Sequence, residues 1–232
     1  MSRMRIVVTG ANRGLGLGLA QAFAKRGDEV WATARDVGAA KELVALARAS
    51  EGRVHVHALD VRDDAQVAAL AAAIGDAPVD VLVNNAGVAS KWRAGLADFD
   101  PAEALAAFDT NALGAIRVAR ALFGNLRAAR GKIVNMTSLM GSIADNGSGR
   151  AYPYRLSKAA LNMATVNLAH EVAAFGGVAV ALHPGWVKTA MGGAGATEEI
   201  DVAVARLVAS IDRFGPKESG HFFHAKGQEL PW

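Results

Sequence analysis

Thr9-Gly10-Ala11-Asn12-Arg13-Gly14-Leu15-Gly16 joins a short β-branched run, Arg5–Thr9, to a helical pattern over Leu15–Lys25. A glycine-rich turn between a strand and a helix reads as the first βα unit of a parallel sheet. Glycine lets the chain turn sharply, keeps side chains out of the way, and aims the helix N-terminus at whatever lies in front of it. The spacing is G-x-x-x-G-x-G rather than G-x-G-x-x-G, but the physics is similar, and the turn reads as a cradle for a pyrophosphate. No Gly-Lys-Ser/Thr follows, so a P-loop is a poor alternative.

Strand-like and helix-like segments alternate from this turn onward. Strands are expected at Glu29–Thr33, Val54–Leu59, Val79–Val83, Lys132–Thr137, Val178–Leu182 and near Gly220–His224. Helices are expected at Ala39–Ala49, Asp63–Ile74 with Asp63 or Asp64 as N-cap, about Pro101–Arg127, about Tyr154–Ala174 and near Glu198–Ile211. Most strands are continuous apolar runs, which suits parallel strands covered on both faces. Right-handed β-α-β crossovers then give an α/β fold with a doubly wound sheet, in one domain over residues 1–232. Two loops are longer than simple connections, about Gly87–Pro101 and about Met140–Pro153, and long loops beside a rigid sheet carry function.

The 232 residues are 52% hydrophobic and 20% charged, enough for a substantial core. The absence of cysteine excludes disulfides, thiolate nucleophiles and cysteine metal sites, and fits a reducing cytosol. A net charge of +3 with scattered basic residues argues against nucleic-acid binding. The opening Met1-Ser2-Arg3-Met4-Arg5 precedes no long apolar stretch, so no signal peptide is expected, and no run approaches the ~20 residues that span a bilayer. The expectation is a soluble, cytoplasmic protein without a membrane partner.

The second strand ends Trp31-Ala32-Thr33-Ala34-Arg35-Asp36. Where an NAD site usually places an acidic residue against the ribose 2′-hydroxyl, this chain has Ala34 followed by Arg35, with Arg13 in the glycine turn. Two guanidinium groups near one ribose suit a 2′-phosphate. NADP(H) is therefore favoured over NAD(H), and Asp36 is the residue that would serve NAD in the alternative. Asp60-Val61 and Asn84-Asn85-Ala86-Gly87 end the third and fourth strands, at the edge where such sheets bind ligands. Asp60 is placed to accept from an adenine amino group. The asparagines mark a turn unless their amides tie strands together beneath the ligand.

Tyr154 and Lys158 stand at i and i+4 on one helix face. A nearby ammonium favours the phenolate and lowers the phenol pKa towards a useful range. Ser138 ends the fifth strand at the same edge, where its hydroxyl can hold a carbonyl oxygen, while Thr137 points to the other face. Asn111 lies mid-helix with no capping role, where its side chain or backbone can hold a water behind Lys158.

These residues together resemble the short-chain dehydrogenase/reductase family. The matches are Thr9-Gly10-x-x-x-Gly14-x-Gly16, Asp60, Asn84-Asn85-Ala86-Gly87, Asn111, Ser138, Tyr154-x-x-x-Lys158, and Pro184-Gly185 with Thr189, in the family's order over nearly the whole chain. The resemblance implies a single Rossmann-fold domain with a seven-stranded parallel sheet and helices on both faces. It implies a catalytic tetrad of Asn111, Ser138, Tyr154 and Lys158. It places the cofactor on Gly10, Asn12, Arg13, Gly14, Leu15, Gly16, Arg35, Asp60, Val61, Asn85, Ala86 and Gly87. Tyr154, Lys158, Pro184, Gly185, Val187 and Thr189 complete that implied cofactor set.

Met140-Gly141-Ser142-Ile143-Ala144-Asp145-Asn146, His183-Pro184-Gly185-Trp186-Val187, Met191-Gly192-Gly193 and Leu230-Pro231-Trp232 are similar to the C-factor and Sniffer-like carbonyl reductase branch. That branch implies NADPH-dependent reduction of an aldehyde, ketone or quinone, with Tyr154 as proton donor and Lys158 on the nicotinamide ribose. It also implies a small substrate lid after Thr189. The alternative is a dinucleotide-binding signalling or regulatory protein of C-factor type with little turnover. Partners implied are a small carbonyl or alcohol substrate and further copies of the chain, as a homodimer or homotetramer through the alanine-rich helices around Asn111 and after Tyr154.

Other candidates read more plainly. His55 and His57 alternate on one strand without a third ligand, and His221 and His224 face opposite sides, so no metal site is expected. Trp92, Trp186 and Met191 belong to the substrate loops, as pocket walls, core or dimer face. Tyr152 competes with Tyr154 as the acid but lacks a lysine four residues on.

Overall fold

The computed structural model describes residues 3–90, 92 and 95–232. Met1 and Ser2 of the opening segment, and Lys91, Arg93 and Ala94 of the expected Gly87–Pro101 loop, lie outside the described residues. Among the described residues, seven strands form one sheet: β1 Arg5–Val8, β2 Glu29–Ala34, β3 Val54–Ala58, β4 Val81–Asn84, β5 Lys132–Met136, β6 Val178–His183 and β7 Phe222–His224. All neighbours pair in parallel, in the order β3-β2-β1-β4-β5-β6-β7. The order reverses between β1 and β4, and this is where an open α/β sheet offers a crevice at its carboxyl edge.

Period-two alternation along the strands divides the core into two layers. Ile6, Val8, Val81, Val83 and Val134 face one side, against α1 (Gly14–Arg26), α2 (Lys41–Ala49) and α8 (Ile200–Arg213). Val7, Leu82 and Ile133 face the other, against α3 (Asp64–Ile74), α5 (Gly114–Ala121), α6 (Phe123–Ala129) and α7 (Tyr152–Ala173). Double coverage is the reason the strands read as unbroken apolar runs. Asp63 caps α3, its carboxylate accepting from the Ala65 and Gln66 amides. No helix among the described residues is long and apolar enough to cross a membrane.

The helical pattern over Pro101–Arg127 is not one helix. It divides into α4 (Pro101–Phe108), a π-turn at Asp109–Leu113, α5 and α6. The cause is tertiary. The Asn111 side chain sits inside the π-turn and is bonded to Val88 and Ser157, so the backbone widens by a residue to present it.

A buried polar ladder fixes α7 on the sheet. Asn84 Nδ2 donates to Asn135 Oδ1 at 2.9 Å, Asn135 Nδ2 donates to Thr165 Oγ1 at 2.9 Å, and Thr165 Oγ1 donates to the Leu161 carbonyl at 2.8 Å. These links run from β4 through β5 into α7, and they are what the first asparagine of Asn84-Asn85 does.

β6 ends at His183, whose ring meets that of His224 on β7 edge-on at 5.0 Å. Burial, reinforced by His224, pushes the His183 imidazole down to about 4 from 6.5, against the opposing pull of Glu198. Between pH 6.5 and about 4 the unfolded chain binds a proton here that the folded chain does not. Acid therefore favours unfolding, by on the order of 3 kcal/mol once the full shift is expressed. His183→Gln should flatten this part of the stability curve measured by urea unfolding from neutral to acid pH. A slope identical to wild type would count against this assignment.

Candidate active site

A cavity of about 920 Å³ opens at the carboxyl edge of the sheet, around the β1–β4 reversal. Gly10, Asn12, Arg13, Gly14, Leu15 and Gly16 form one wall. The turn is tied to β2 by the Ala11 amide, which donates to the Thr33 carbonyl at 2.7 Å. A Cβ at Gly16 would stand 2.3 Å from the Gly10 carbonyl oxygen, so only glycine lets the helix start this close to the strand end. No side chain caps α1 and no acidic residue lies in its first turn. Its N-terminal dipole end is thus left without a protein anion, and such an end binds phosphate.

Asn85 serves the turn as well as the cavity. Its Nδ2 donates to the Thr9 and Gly10 carbonyls, each at 2.9 Å, while the Asn85 and Ala86 amides both donate to Thr9 Oγ1 at 3.0 Å. The amides of Asn84-Asn85 therefore do tie strands together beneath the cleft.

Arg13 and Arg35 both line the cleft, and so does Asp36. Asp36 accepts from the Ala39 amide at 3.1 Å and so holds the turn into α2. Asp60 and Val61 line the cleft as well, and Asp60 is already engaged. Arg62 forks onto both of its oxygens, at 3.0 and 2.6 Å, and this hydrogen bonding holds the carboxylate well down, at about 2. Sequence reasoning missed Arg62. Its signal was an arginine two residues after a strand-end aspartate, a local pair that anchors the carboxylate expected to meet a ligand.

Ala86 and Gly87 line the middle of the cleft, and Pro184 and Thr189 its far wall, joined by Lys188 and Met191. Gly185 and Val187 are not among the cleft walls. Val187 is buried and bridges to Glu198, and Gly185 lies against the Glu198 carboxyl group. The stretch after β6 pairs with residues 197 and 198: the Thr197 and Glu198 amides donate to the Trp186 carbonyl and the Lys188 amide to the Glu198 carbonyl.

The chemical end lies where α7 crosses the end of β5. Tyr154 and Lys158 are both buried and both line the cavity. Ser138 acts on the Tyr154 phenol, favouring its ionised form, and its own Oγ accepts from the Met140 amide at 3.2 Å. Thr137, next to Ser138, bonds Asn162 of α7 at 2.7 Å. Lys158 Nζ donates to the Met136 carbonyl at 2.7 Å and lies 5.7 Å from the centre of the Tyr154 ring. Burial pushes Lys158 down to about 8. Burial pushes Tyr154 up to about 12, only partly opposed by Ser138. The expected lowering of the phenol pKa by the lysine is not what the cleft imposes: desolvation dominates, and the ammonium is bonded to the main chain over the face of the ring. Trp92 stands edge-on to Tyr154 at 4.9 Å, whereas Tyr152 is exposed and packs against Phe99.

Asn111 lies behind the cleft rather than in its wall. Its Oδ1 accepts from the Val88 amide at 2.8 Å, and its Nδ2 donates to the Val88 carbonyl at 3.0 Å and to Ser157 Oγ at 2.9 Å. The side chain is committed to holding the Gly87-Val88 segment against α7. His55 and His57 stack on Trp31, at 4.4 and 5.0 Å.

Comparison with known proteins gives a consistent picture. Residues 4–199 match the family model described as short chain dehydrogenase. The chain is 47% identical over 156 residues to C-signal of Myxococcus xanthus, covering 67% of this chain and 93% of that one. The carbonyl reductase Sniffer of D. melanogaster superposes with a TM-score of 0.93 at 34% identity over the whole of both chains. The NADPH-bound carbonyl reductase from chicken fatty liver gives 0.93 at 32% identity, again over both chains in full.

Asn111→Ala would leave the half-buried Val88 amide without its acceptor and free the buried Ser157 from α5's preceding turn. A loss of about 3 kcal/mol is expected, read as a fall in the urea midpoint with unchanged m-value.

Proposed function

Because this chain belongs to the short-chain dehydrogenase family of oxidoreductases, we propose that it is an NADPH-dependent reductase of a small carbonyl compound, an aldehyde, ketone or quinone. The observation that carries the reading is the buried Tyr154 phenol, under the influence of Ser138 and one helical turn from a buried Lys158, in a cleft that Arg13 and Arg35 also line.

The cleft fits a dinucleotide. Its uncapped helix N-terminus suits the pyrophosphate, and Arg13 and Arg35 suit a ribose 2′-phosphate. Asp36, committed to the Ala39 amide, leaves the arginines as the residues that read the ribose. Arg62 holds the Asp60 carboxylate ionised and in place as an acceptor for the adenine amino group. Lys158 serves the nicotinamide ribose, and the bound NADPH supplies the hydride.

The chain's own work is positioning and proton supply. Ser138 and Tyr154 donate hydrogen bonds to the carbonyl oxygen. As that oxygen becomes an alkoxide, the Tyr154 O–H bond breaks, its proton goes to the oxygen, and a phenolate is left. A phenol raised to about 12 is protonated at neutral pH and so is ready to act as the acid. Lys158, at about 8, is still a cation there and stabilises the phenolate. With its side chain committed, Asn111 offers its main-chain carbonyl to a water that returns the proton. Fixed donors aimed at the developing charge supply much of the rate.

The identity with C-signal motivates a second reading, a dinucleotide-binding regulatory protein with little turnover. A panel of benzaldehyde, methyl ketones and quinones separates the two: NADPH oxidation across part of it supports the reductase, and tight NADPH binding without turnover supports the regulator.

Tyr154→Phe should reduce turnover by at least ~1000-fold while leaving NADPH affinity within about threefold. Wild-type rates in the Phe variant would overturn the mechanism. Arg35→Ala should weaken NADPH by roughly 10- to 100-fold and leave NADH nearly unchanged. Equal losses for the two cofactors, measured by fluorescence titration, would remove the role given to Arg35.

A further inference from the structure

Leu230-Pro231-Trp232 is used neither by the cofactor cleft nor by the proton chemistry, yet it meets the loop that separates Ser138 from Tyr154. The main-chain oxygen of Trp232 accepts three hydrogen bonds from that loop: from the Ile143 amide at 2.9 Å, the Ala144 amide at 2.8 Å and Ser142 Oγ at 3.0 Å. Ser142 Oγ in turn accepts from the Asp145 amide at 3.0 Å. Trp232 is held in its own right. Its indole stacks on Phe222 of β7, with centroids 5.6 Å apart and planes at 22°, and the Leu230 amide donates to the Phe222 carbonyl at 2.7 Å. Phe222 is fully buried, so the anchor is part of the sheet's core.

From this contact the chain runs without a break to the reacting groups. The Ser142 amide donates to the Leu139 carbonyl at 2.9 Å and the Gly141 amide to the Ser138 carbonyl at 2.8 Å, closing a 3₁₀ turn at Leu139–Gly141. The Met140 amide of that turn is the donor to Ser138 Oγ. On its other side the turn lies against α7. Asn162 Nδ2 donates to the Gly141 carbonyl at 3.2 Å, Arg155 Nη1 donates to the Met140 carbonyl at 3.3 Å, and a Cβ on Gly141 would stand 2.8 Å from the Lys158 carbonyl carbon. The turn is therefore a wedge between the strand end that carries Ser138 and the helix that carries Tyr154 and Lys158.

The loop has little burial of its own with which to hold this wedge. Ile143 is 81% exposed, and residues 144–150 are exposed. Apolar contact cannot order such a segment, and ordering each residue costs on the order of 1 kcal/mol or more of backbone entropy. Two consecutive amides and a hydroxyl converging on one anchored oxygen supply the constraint instead.

We infer that Trp232 is a positioning residue for catalysis. By anchoring residues 142–144 to β7 it fixes the Leu139–Gly141 wedge, and through it the Ser138 hydroxyl against the Tyr154 phenol. The inference rests on the carbonyl-reduction reading of the site and adds to it a residue that touches neither substrate nor cofactor.

The test uses the full chain, with the best substrate of the carbonyl panel, in four variants: Trp232→Ala, Trp232→Phe, Ser142→Ala and Tyr154→Phe. Trp232 is only 38% exposed and covers Phe222, so all variants are assayed well below their own melting temperatures, measured in parallel. Trp232→Ala should lower kcat by roughly 10- to 100-fold, since small misplacements of reacting groups have effects of that size, while NADPH affinity stays within about twofold. Hydrogen exchange at the Ile143 and Ala144 amides should accelerate by ~10-fold or more, with the β-strand amides unaffected. Trp232→Phe, which keeps an aromatic ring for Phe222, should recover most of kcat, and Ser142→Ala should lose a smaller part of it. If exchange at Ile143 and Ala144 rises in Trp232→Ala while kcat holds, the strap is structural and the inference fails. It fails equally if Trp232→Phe and Trp232→Ala lose the same activity. Turnover that survives Tyr154→Phe sinks the underlying reading; turnover abolished in Tyr154→Phe but untouched in Trp232→Ala leaves that reading standing and removes the strap alone.

Discussion

A buried ammonium sets the terms for the rest of this structure. Lys158 is 5% exposed, and taking a cation out of water is costly enough to push its pKa down to about 8. It is tolerated because the Met136 carbonyl, at the end of β5, lies 2.7 Å away. That bond exists only if α7 crosses the sheet at one place and one rotation. The Asn84-Asn135-Thr165 ladder and the Thr137–Asn162 bond supply this restraint from β4 and β5. Tyr154, one turn earlier on the same helix, is carried with it into the cleft.

The polar residues at the carboxyl edge divide into two groups that look alike in sequence. Thr9, Asn84, Asn85, Asn111 and Asn135 spend their side chains on the main chain and on each other, and so shape the cleft. Arg13, Arg35, Tyr154 and Lys158 face the cavity and carry charge or a mobile proton. Asp60 lies between these groups, lining the cleft while forked by Arg62. A cleft built this way is rigid before any ligand arrives, because a buried amide that lost its partner would cost ~1–3 kcal/mol.

Where the sequence was legible, the physics was local. The strands showed as apolar runs because helices cover both faces, and the glycine turn showed because only glycine fits at Gly16. Tyr154 and Lys158, which line the cleft together, were legible at i, i+4 on one helix, and Ser138 at the end of a strand. What stayed hidden depended on tertiary contacts. The run over Pro101–Arg127 has helical composition throughout, and its π-turn is imposed by Val88 and Ser157, distant in sequence from Asn111. The bridge between Val187 and Glu198 is likewise a contact that no spacing rule shows.

The pKa pattern at Tyr154 runs opposite to the expectation from Tyr-x-x-x-Lys alone, and the order of the two titrations explains why. Lys158 loses its proton near 8 and Tyr154 near 12, so the lysine is already neutral at the pH where the phenol ionises at equilibrium. Its charge then contributes nothing to that ionisation, and burial alone sets the value. During a neutral-pH proton transfer the lysine is still charged. In the proposed transfer that charge, over the face of the Tyr154 ring in a buried and poorly screened site, attracts the phenolate as it forms. The same desolvation that keeps the phenol protonated before reaction therefore strengthens the attraction that stabilises the phenolate once the proton has gone.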